Sequence, residues 1–164
     1  PWQQLPEFYR TLAKRDAMSA LALRFIILTA CRSGEVRGAR WSEIQGDTWT
    51  VPPQRTKSRR PHRVPLTKEA LSILDATRGL HKELVFPNRI YDGKRGTGQL
   101  SVNAFRSLYN RIGTPEITTH GFRSTFRDWC SEKAEAPREL AEAALAHLPG
   151  QVERAYKRTD LFQL

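Results

Sequence analysis

The sequence predicts a mainly α (α+β) fold, in which a helical domain carries one small three-stranded antiparallel sheet. Three observations lead to this prediction. Apolar residues recur at helical spacing over most of the chain, β-branched and aromatic stretches are confined to its middle, and no repeat or linker divides it. A length of 164 residues suits one domain with a buried core, so residues 1–164 are expected to form a single domain.

Two helices are predicted before residue 30. The stretch "LPEFYRTLAKRD" has amphipathic spacing, and Pro6 is tolerated in its opening turn. The apolar run that ends at Thr29 predicts a second helix, which is almost apolar all round and is therefore expected at the centre of the fold. At about 15 residues, with Arg24 inside it, this run is too short to span a membrane.

Strands are predicted in the middle of the chain, in "GDTWTVPPQRTKSRRPHRVPL", and a third short strand is expected in "LVFPN". The stretch "TKEALSILDAT" between them predicts a helix capped by Thr67. The Gly-rich "RIYDGKRGTGQ" is expected to be a mobile loop. Four further helical segments follow: "SVNAFRSLYNRI", "HGFRSTFRDWCSEK", "PRELAEAALAH" and "QVERAYKR".

The charge of the chain limits which binding partners and which kinds of reaction are expected for it. The chain has 27 Lys and Arg against 17 Asp and Glu, a formal net charge of +10. A folded domain this basic usually meets a polyanion, with nucleic acid as the first candidate and a purely structural basic protein as the alternative. The sequence has no phosphate-binding G-x-x-x-x-G-K-[ST] loop and no carboxylate cluster suited to two magnesium ions. We therefore expect no cofactor and no metal, and any phosphate chemistry would rely on protein cations.

The first candidate cation is Arg32 in "TACRSGEV", directly after the central helix. An arginine there can simply be a solvated residue that favours the helix dipole. Glu35 follows three residues later and could support the guanidinium through a bidentate pair. Arg32 by itself leaves both interpretations open.

The second candidate lies in "RTKSRRPHR", residues 55–63, which holds five Lys or Arg in nine positions between two predicted strands. A basic hairpin tip is most often a solvated loop or a general phosphate contact. Lys57 could instead reach a reacting phosphate, although Arg55, Arg59 and Arg60 crowd the same loop.

The third candidate is "HGFRSTFRDW", where His120 and Arg123 are three residues apart and share a helix face. Such a pair could point at one anion, but chance supplies many similar pairs. A zinc site built from His120, Cys130 and His147 would have irregular spacing, and the two cysteines of the chain are better interpreted as free thiols.

The last candidates are His147 and Tyr156, nine residues apart on either side of Pro149-Gly150. One unbroken helix would turn them in opposite directions, but this break allows both to face one cavity. A tyrosine has a pKa of about 10, so it needs nearby cations to act as a nucleophile at neutral pH. Tyr156 could otherwise be a packing aromatic.

Four sequence motifs, which we call boxes, together resemble the catalytic domain of tyrosine recombinases, the phage integrase family. In chain order they are "TACRSGEVRGARWSEI", "RTKSRRPHRVPL", "THGFRSTFRDW" and "LAHLPGQVERAY". The sequences "HGFRSTFRDW" and "AYKRTD" are most similar to those of integrases of prophages and genomic islands. The resemblance covers essentially the whole chain. It implies the following catalytic set, with Glu35 in a supporting role: Arg32, Lys57, His120, Arg123, His147 and Tyr156.

The resemblance also implies a mechanism and partners. Such enzymes clamp double-stranded DNA, assemble as a tetramer on two attachment sites, and cut one strand of each through a 3′-phosphotyrosine link. The freed 5′-hydroxyl of the partner strand then attacks, without ATP or metal. Two alternatives stay open from the sequence: a type IB topoisomerase-like enzyme that relaxes DNA, and a DNA-binding module without catalysis.

The chain departs from this family in extent. The N-terminal domain that grips the other face of DNA is absent, the chain begins at Pro1, and its tail ends at Leu164. We therefore expect the chain to be the catalytic domain of a longer protein. On its own it is expected to bind DNA weakly, with a monomeric state left open.

Overall fold

The computed structural model describes residues 1–88 and 98–147, and over these residues the mainly α fold with one small antiparallel sheet is confirmed. The described residues form seven α-helices: α1 (Leu5–Ala13), α2 (Met18–Thr29), α3 (Ser33–Arg37), α4 (Lys68–Thr77), α5 (Ala104–Ile112), α6 (Gly121–Glu132) and α7 (Arg138–Ala144). They also form three strands: β1 (Ile44–Gln45), β2 (Thr48–Val51) and β3 (His62–Pro65). None of these helices is long and apolar enough to cross a membrane.

Helix α2 lies at the centre of the fold, as its nearly continuous apolar sequence predicts. It contacts five of the other helices, namely α1, α3, α4, α5 and α6. From its buried side, Phe25 packs against Trp49 of β2 and against Phe86, with ring centroids 5.5 and 5.3 Å apart. Truncating such a core aromatic typically costs about 3–5 kcal/mol, so α2 is a firm support for the segments around it.

The sheet has the order β1-β2-β3, and both pairs are antiparallel. Residue Val51 at the end of β2 pairs with His62 at the start of β3, so the basic stretch between them forms the hairpin tip, as predicted. After β3, the hydroxyl of Thr67 accepts a hydrogen bond from the backbone N of Ala70 at 3.2 Å. This bond confirms the predicted cap of α4 and is worth about 1 kcal/mol.

The prediction that "LVFPN" supplies the third strand is wrong, because β1 takes that place. Leu84 makes only an isolated bridge with Arg40, and Pro87 makes one with Gln99. Phe86 is fully buried, and Pro87 has no N–H with which to extend a ladder. The segment therefore packs into the core beside the sheet and does not join it.

The C-terminal helices follow the predicted order, but α7 is shorter than predicted. It ends at Ala144, and Ala146 adopts a left-handed backbone with a φ of 49°. The backbone N of His147 then donates to the carbonyl of Glu142 at 2.9 Å. His147 thus follows the helix in a turn and does not belong to it. The predicted mobile loop lies almost wholly outside the described residues, and so does the predicted helix "QVERAYKR".

Candidate active site

One cavity of about 600 Å³ gathers four of the predicted site residues. Arg32, Lys57, His120 and Arg123 line it together with Glu35. They come from three regions of the chain: the start of α3, the β2–β3 hairpin and the start of α6. Three of the four are always cationic at neutral pH, so the cavity is suited to an anion.

Arg32 is placed by the turn that joins α2 to α3. Helix α2 ends at Thr29, and the next residue, Ala30, has a left-handed φ of 51° that turns the chain toward α3. The carboxylate of Glu35, with only 2% of the residue exposed, accepts from the backbone N of Arg32 at 2.9 Å and from its Nη1 at 3.2 Å. The predicted bidentate pair is therefore divided, with one oxygen on the guanidinium and the other on the backbone. Glu35 fixes both ends of Arg32.

Arg123 lies in the first turn of α6 and is buried, with 4% of the residue exposed. Its Nη1 donates to the carbonyl of Ala30, and its Nη2 donates to the carbonyl of Leu145, each at 2.5 Å. Burial lowers the pKa of Arg123, and the charge of Arg32 lowers it further. An arginine nevertheless stays protonated in proteins, so a fixed positive charge is held at the wall of the cavity.

His147 also lies beside the guanidinium of Arg123. Its Nε2 lies 3.2 Å from Nη2 of Arg123, and its Nδ1 lies 2.6 Å from a carboxylate oxygen of Glu142. The Glu142 carboxylate holds one ring nitrogen of His147, and the other ring nitrogen faces the guanidinium of Arg123. His147 thus contacts the site through Arg123, although His147 does not itself line the cavity described above.

Lys57 and His120 occupy the solvent side of the cavity. Both residues are exposed, with Lys57 on the hairpin and His120 directly before the first residue of α6. Within the described part of the chain, neither side chain is held by an ion pair or a hydrogen bond. Both are therefore free to approach a group bound over the two arginines.

Two tyrosines, Tyr9 and Tyr109, lie in the described residues, and neither lines the cavity. Tyr9 contacts Arg24, yet burial raises its pKa above the usual value. Burial also raises the pKa of Tyr109 to about 12. Its hydroxyl forms a hydrogen bond of 2.9 Å with Oγ1 of Thr119. Neither of these two is suited to act as a nucleophile at neutral pH. The predicted nucleophile, Tyr156, lies outside the described residues.

A residue that the sequence reasoning missed, His62, lies close enough to Arg32 and Arg123 for their charges to act on it. It is 8% exposed, and its Nδ1 has no hydrogen-bond partner among the described residues. The signal that could have found it is the alternation of β3, because His62 and Val64 share the buried face of that strand. Burial lowers the pKa of His62, and the charges of Arg123 and Arg32 lower it further, while Glu35 opposes them.

Among the described residues, the group with the donor types of a metal site is Cys31, Glu35 and His62, whose ligand atoms lie within 4.8 Å of one another. All three residues are buried. Arg32 and Arg123 act electrostatically on Cys31 and His62, and their charges oppose a divalent cation at this place. His120, Cys130 and His147, whose irregular spacing argued against a zinc site, do not form such a group within the described residues.

The buried His62 gives a prediction for the pH dependence of stability. Its pKa is lower in the folded chain than the value of about 6.5 expected when unfolded, so the unfolded state binds more protons below that pH. We expect the free energy of unfolding to fall as the pH drops below about 6.5. Urea unfolding between pH 7.5 and 5.5 should show a smaller fall for His62→Asn. Equal slopes for both proteins would contradict this assignment.

Together, the fold and the cavity define a basic, mainly helical domain whose two fixed arginines are arranged to hold an anion. Comparison with known proteins adds a family to this class. The phage integrase family matches residues 2–160, nearly the whole chain. The chain therefore belongs to the phage integrase family, as the resemblance of its four boxes predicted.

Curated relatives agree with this assignment. The chain is 34% identical over 164 residues to the prophage integrase IntZ of Escherichia coli (strain K12), covering 96% of this chain and 40% of that protein. It is 34% identical over 169 residues to the prophage integrase IntA of the same strain, covering 98% and 40%. The integrase of Enterobacteria phage P4 is 29% identical over 179 residues, covering 98% and 40%. The chain thus spans 40% of the length of these relatives.

Solved structures share the fold. The XerH site-specific recombinase, solved bound to a difH substrate in a pre-cleavage complex, superposes with a TM-score of 0.66 at 19% identity, covering 96% of this chain and 49% of that one. A lambda integrase dimer bound to a COC′ core site gives a TM-score of 0.62 at 18% identity, covering 95% and 46%. Both likenesses confirm the predicted fold class.

Proposed function

We propose that this chain is the catalytic domain of a longer site-specific DNA recombinase that integrates or excises a prophage or genomic island. The observation that carries the proposal is the cavity in which Arg32, Lys57, His120 and Arg123 converge. Membership of the phage integrase family supports the reaction class, which is DNA strand cleavage and rejoining through a covalent 3′-phosphotyrosine.

The two arginines would neutralise the non-bridging oxygens of one phosphodiester. Each guanidinium is held by the protein before any substrate arrives, Arg32 by Glu35 and Arg123 by backbone carbonyls. Charges fixed in advance stabilise a transition state without the cost of reorganising at the moment of reaction. The Nε of Arg123 is buried without an acceptor among the described residues. An unpaired buried donor costs about 1–3 kcal/mol, which supports an acceptor supplied by a bound group.

The remaining groups would move protons and make the new bond. The hydroxyl oxygen of Tyr156 attacks phosphorus, a P–O bond to Tyr156 forms, and the bond from phosphorus to the 5′-oxygen breaks. Lys57 protonates the departing 5′-oxygen, while one of His120 and His147 accepts the tyrosine proton and the other hydrogen-bonds the phosphate. Rejoining reverses these steps with the 5′-hydroxyl of a partner strand as the nucleophile.

No cofactor or metal is included in the proposed reaction. The two guanidinium groups take the electrostatic role that a metal ion would otherwise fill. The energy of the broken phosphodiester is kept in the phosphotyrosine, so the proposed cycle needs no ATP.

The proposed partner is double-stranded DNA carrying the attachment sites of the element, in the cytoplasm of a bacterium. The net charge of +10 favours association with the phosphate backbone. Two solved relatives that share the fold were crystallised bound to their DNA sites, which supports DNA as the partner. We further propose that the longer protein acts as a tetramer on two sites.

The test uses a nicked suicide substrate that carries the end sequence of the element in which this chain is encoded. Both the 164-residue chain and the longer protein proposed to contain it are incubated with this DNA. We expect a covalent protein–DNA complex from the longer protein, and mass spectrometry of its peptides should place the nucleotide on Tyr156.

Other outcomes separate the alternatives. DNA binding by the longer protein without any covalent product would contradict the proposal and favour a non-catalytic DNA-binding module. Relaxation of a supercoiled plasmid that lacks the element's sequence would favour a topoisomerase-like enzyme. A nucleotide linked to a residue other than Tyr156 would overturn the assigned nucleophile.

A further inference from the structure

Arg55, at the base of the basic hairpin, is turned toward the protein and not toward solvent. Its Nε donates to Oε1 of Glu43 at 3.1 Å and its Nη2 donates to Oε2 of the same carboxylate at 2.5 Å. Its Nη1 donates to the backbone carbonyl of Glu35 at 2.9 Å. All three guanidinium nitrogens therefore have acceptors within the protein. We name this arrangement of Arg55, Glu43 and the Glu35 carbonyl the Arg55 clamp.

The Arg55 clamp is built into the fold. The side chain of Glu43 is only 8% exposed and also accepts from the indole N–H of Trp49 at 3.0 Å. On the other side, Gly38 leaves room for the guanidinium, because a Cβ at that position would lie 2.7 Å from Nη1 of Arg55. A bidentate arginine–carboxylate pair with this little exposure is stronger and more rigid than a surface ion pair.

The clamp joins α3, which directly follows Arg32, to the β2–β3 hairpin, which carries Lys57. Through the Glu35 carbonyl it holds α3, the helix that Arg32 precedes. Arg55 itself lies two residues before Lys57, and between them the buried hydroxyl of Thr56 donates to the carbonyl of Arg60 at 2.7 Å. The base of the hairpin is therefore tied down, and Lys57 extends from that base into the cavity.

We propose that Arg55 is a positioning residue, which fixes the hairpin so that the Lys57 ammonium reaches the 5′-oxygen leaving the phosphate. This inference rests on the proposed function of the chain, in which Lys57 donates that proton. A misplacement of about 1 Å can cost about 10²-fold in rate, and a general acid contributes about 10²–10⁴-fold. The clamp acts through Lys57 and not on the substrate.

A direct contact between Arg55 and a DNA phosphate is the other role available to a cation in this loop. The structure favours positioning, because each nitrogen of Arg55 is already bonded within the protein. By contrast, Arg59 and Arg60 are exposed, and in the described residues their side chains form no ion pair. These two are better placed to meet the DNA backbone.

The first experiment compares two suicide substrates in the longer protein, one with a normal 5′-oxygen and one with 5′-sulfur at the cleavage site. A thiolate leaves without protonation because its pKa is low, so the sulfur substrate does not need Lys57. We expect Arg55→Gln to slow cleavage of the oxygen substrate by about 10²-fold and of the sulfur substrate by less than about fivefold. Lys57→Ala should show the same selective loss.

Two further variants sharpen the comparison. Glu43→Gln breaks the clamp from a residue that does not line the cavity, and it should reproduce the selective loss. Arg60→Gln removes one positive charge from the same loop without touching the clamp. It should weaken DNA binding and slow both substrates to the same extent. Adding Arg55→Gln to Lys57→Ala should cost little more than Lys57→Ala alone.

The results distinguish this inference from the proposed function. If Lys57→Ala recovers on the sulfur substrate and Arg55→Gln does not, Arg55 does not act through Lys57, and the proposed function stands. If Lys57→Ala also fails to recover, the acid role of Lys57 is wrong and the inference fails with it. If the unaltered protein forms no covalent product with either substrate, the proposed function and the inference are both wrong.

A second measurement needs no catalysis. Hydrogen exchange in the 164-residue chain reports how firmly the hairpin backbone is held. Loss of the clamp in Arg55→Gln should speed exchange of residues 54–60 at least about tenfold, while α2 exchanges unchanged. Unaltered exchange in the hairpin would overturn the positioning role, whatever the activity of the variant.

Discussion

Replacing Tyr156 by phenylalanine is expected to abolish the covalent protein–DNA complex while DNA binding is retained. The change removes one oxygen atom and keeps the aromatic ring, so packing and charge are preserved. Without that oxygen the proposed bond to phosphorus cannot form, and loss of a nucleophile typically costs at least about 10⁴-fold. The measurement is the yield of covalent complex on the suicide substrate, with DNA binding followed in parallel by fluorescence anisotropy.

A matched control is available in Tyr9→Phe. Tyr9 also has an arginine neighbour, since Nε of Arg24 donates to its hydroxyl at 3.3 Å. Burial nevertheless raises the pKa of Tyr9, and it lies outside the cavity. We expect Tyr9→Phe to form the covalent complex at the unaltered rate. Covalent complex formation by Tyr156→Phe would show that another residue is the nucleophile.

Replacing Arg123 by lysine is expected to slow cleavage by about 10²–10³-fold, although the positive charge is kept. An ammonium group cannot reproduce the planar fork that reaches the carbonyls of Ala30 and Leu145 together. At least one buried carbonyl then loses its partner, which costs about 1–3 kcal/mol of stability. Single-turnover cleavage and urea unfolding of the same variant would measure the two effects separately.

Arg127→Lys is the control for this change, because Arg127 lies one turn further along α6 and is exposed. It does not line the cavity and should change neither the cleavage rate nor the stability measurably. A cleavage rate for Arg123→Lys within about threefold of the unaltered protein would contradict the proposed role of the guanidinium fork.

Much of the fold could be predicted because its signals are local. The apolar run before Thr29 indicated the central helix, and Thr67 marked the start of α4. These features depend on side-chain periodicity and on hydrogen bonds between residues three or four positions apart. The segment "LVFPN" misled for the same reason, since its composition suits a strand but only the surrounding packing decides that it joins no sheet.

For the candidate site, too, the sequence predicted the residues and the structure gave their arrangement in space. The four boxes named Arg32, Lys57, His120 and Arg123 from their order along the chain, and the structure brings these four to one cavity. Their order also led to His147, which the structure joins to Arg123. Only the sequence predicts Tyr156 as the nucleophile, since that residue lies outside the described part of the chain.

The sequence by itself determined the order of the helices, the basic hairpin, the family and the candidate residues. Each of these can be recognised from residue types at nearby positions in a short stretch of the chain. Only the tertiary structure decided what holds those residues in place. Arg123 is bonded to the carbonyl of Ala30, 93 positions earlier, and Arg55 to Glu43, 12 positions earlier. Such contacts depend on how helices and strands pack, and packing brings together residues whose separation along the chain has no fixed period.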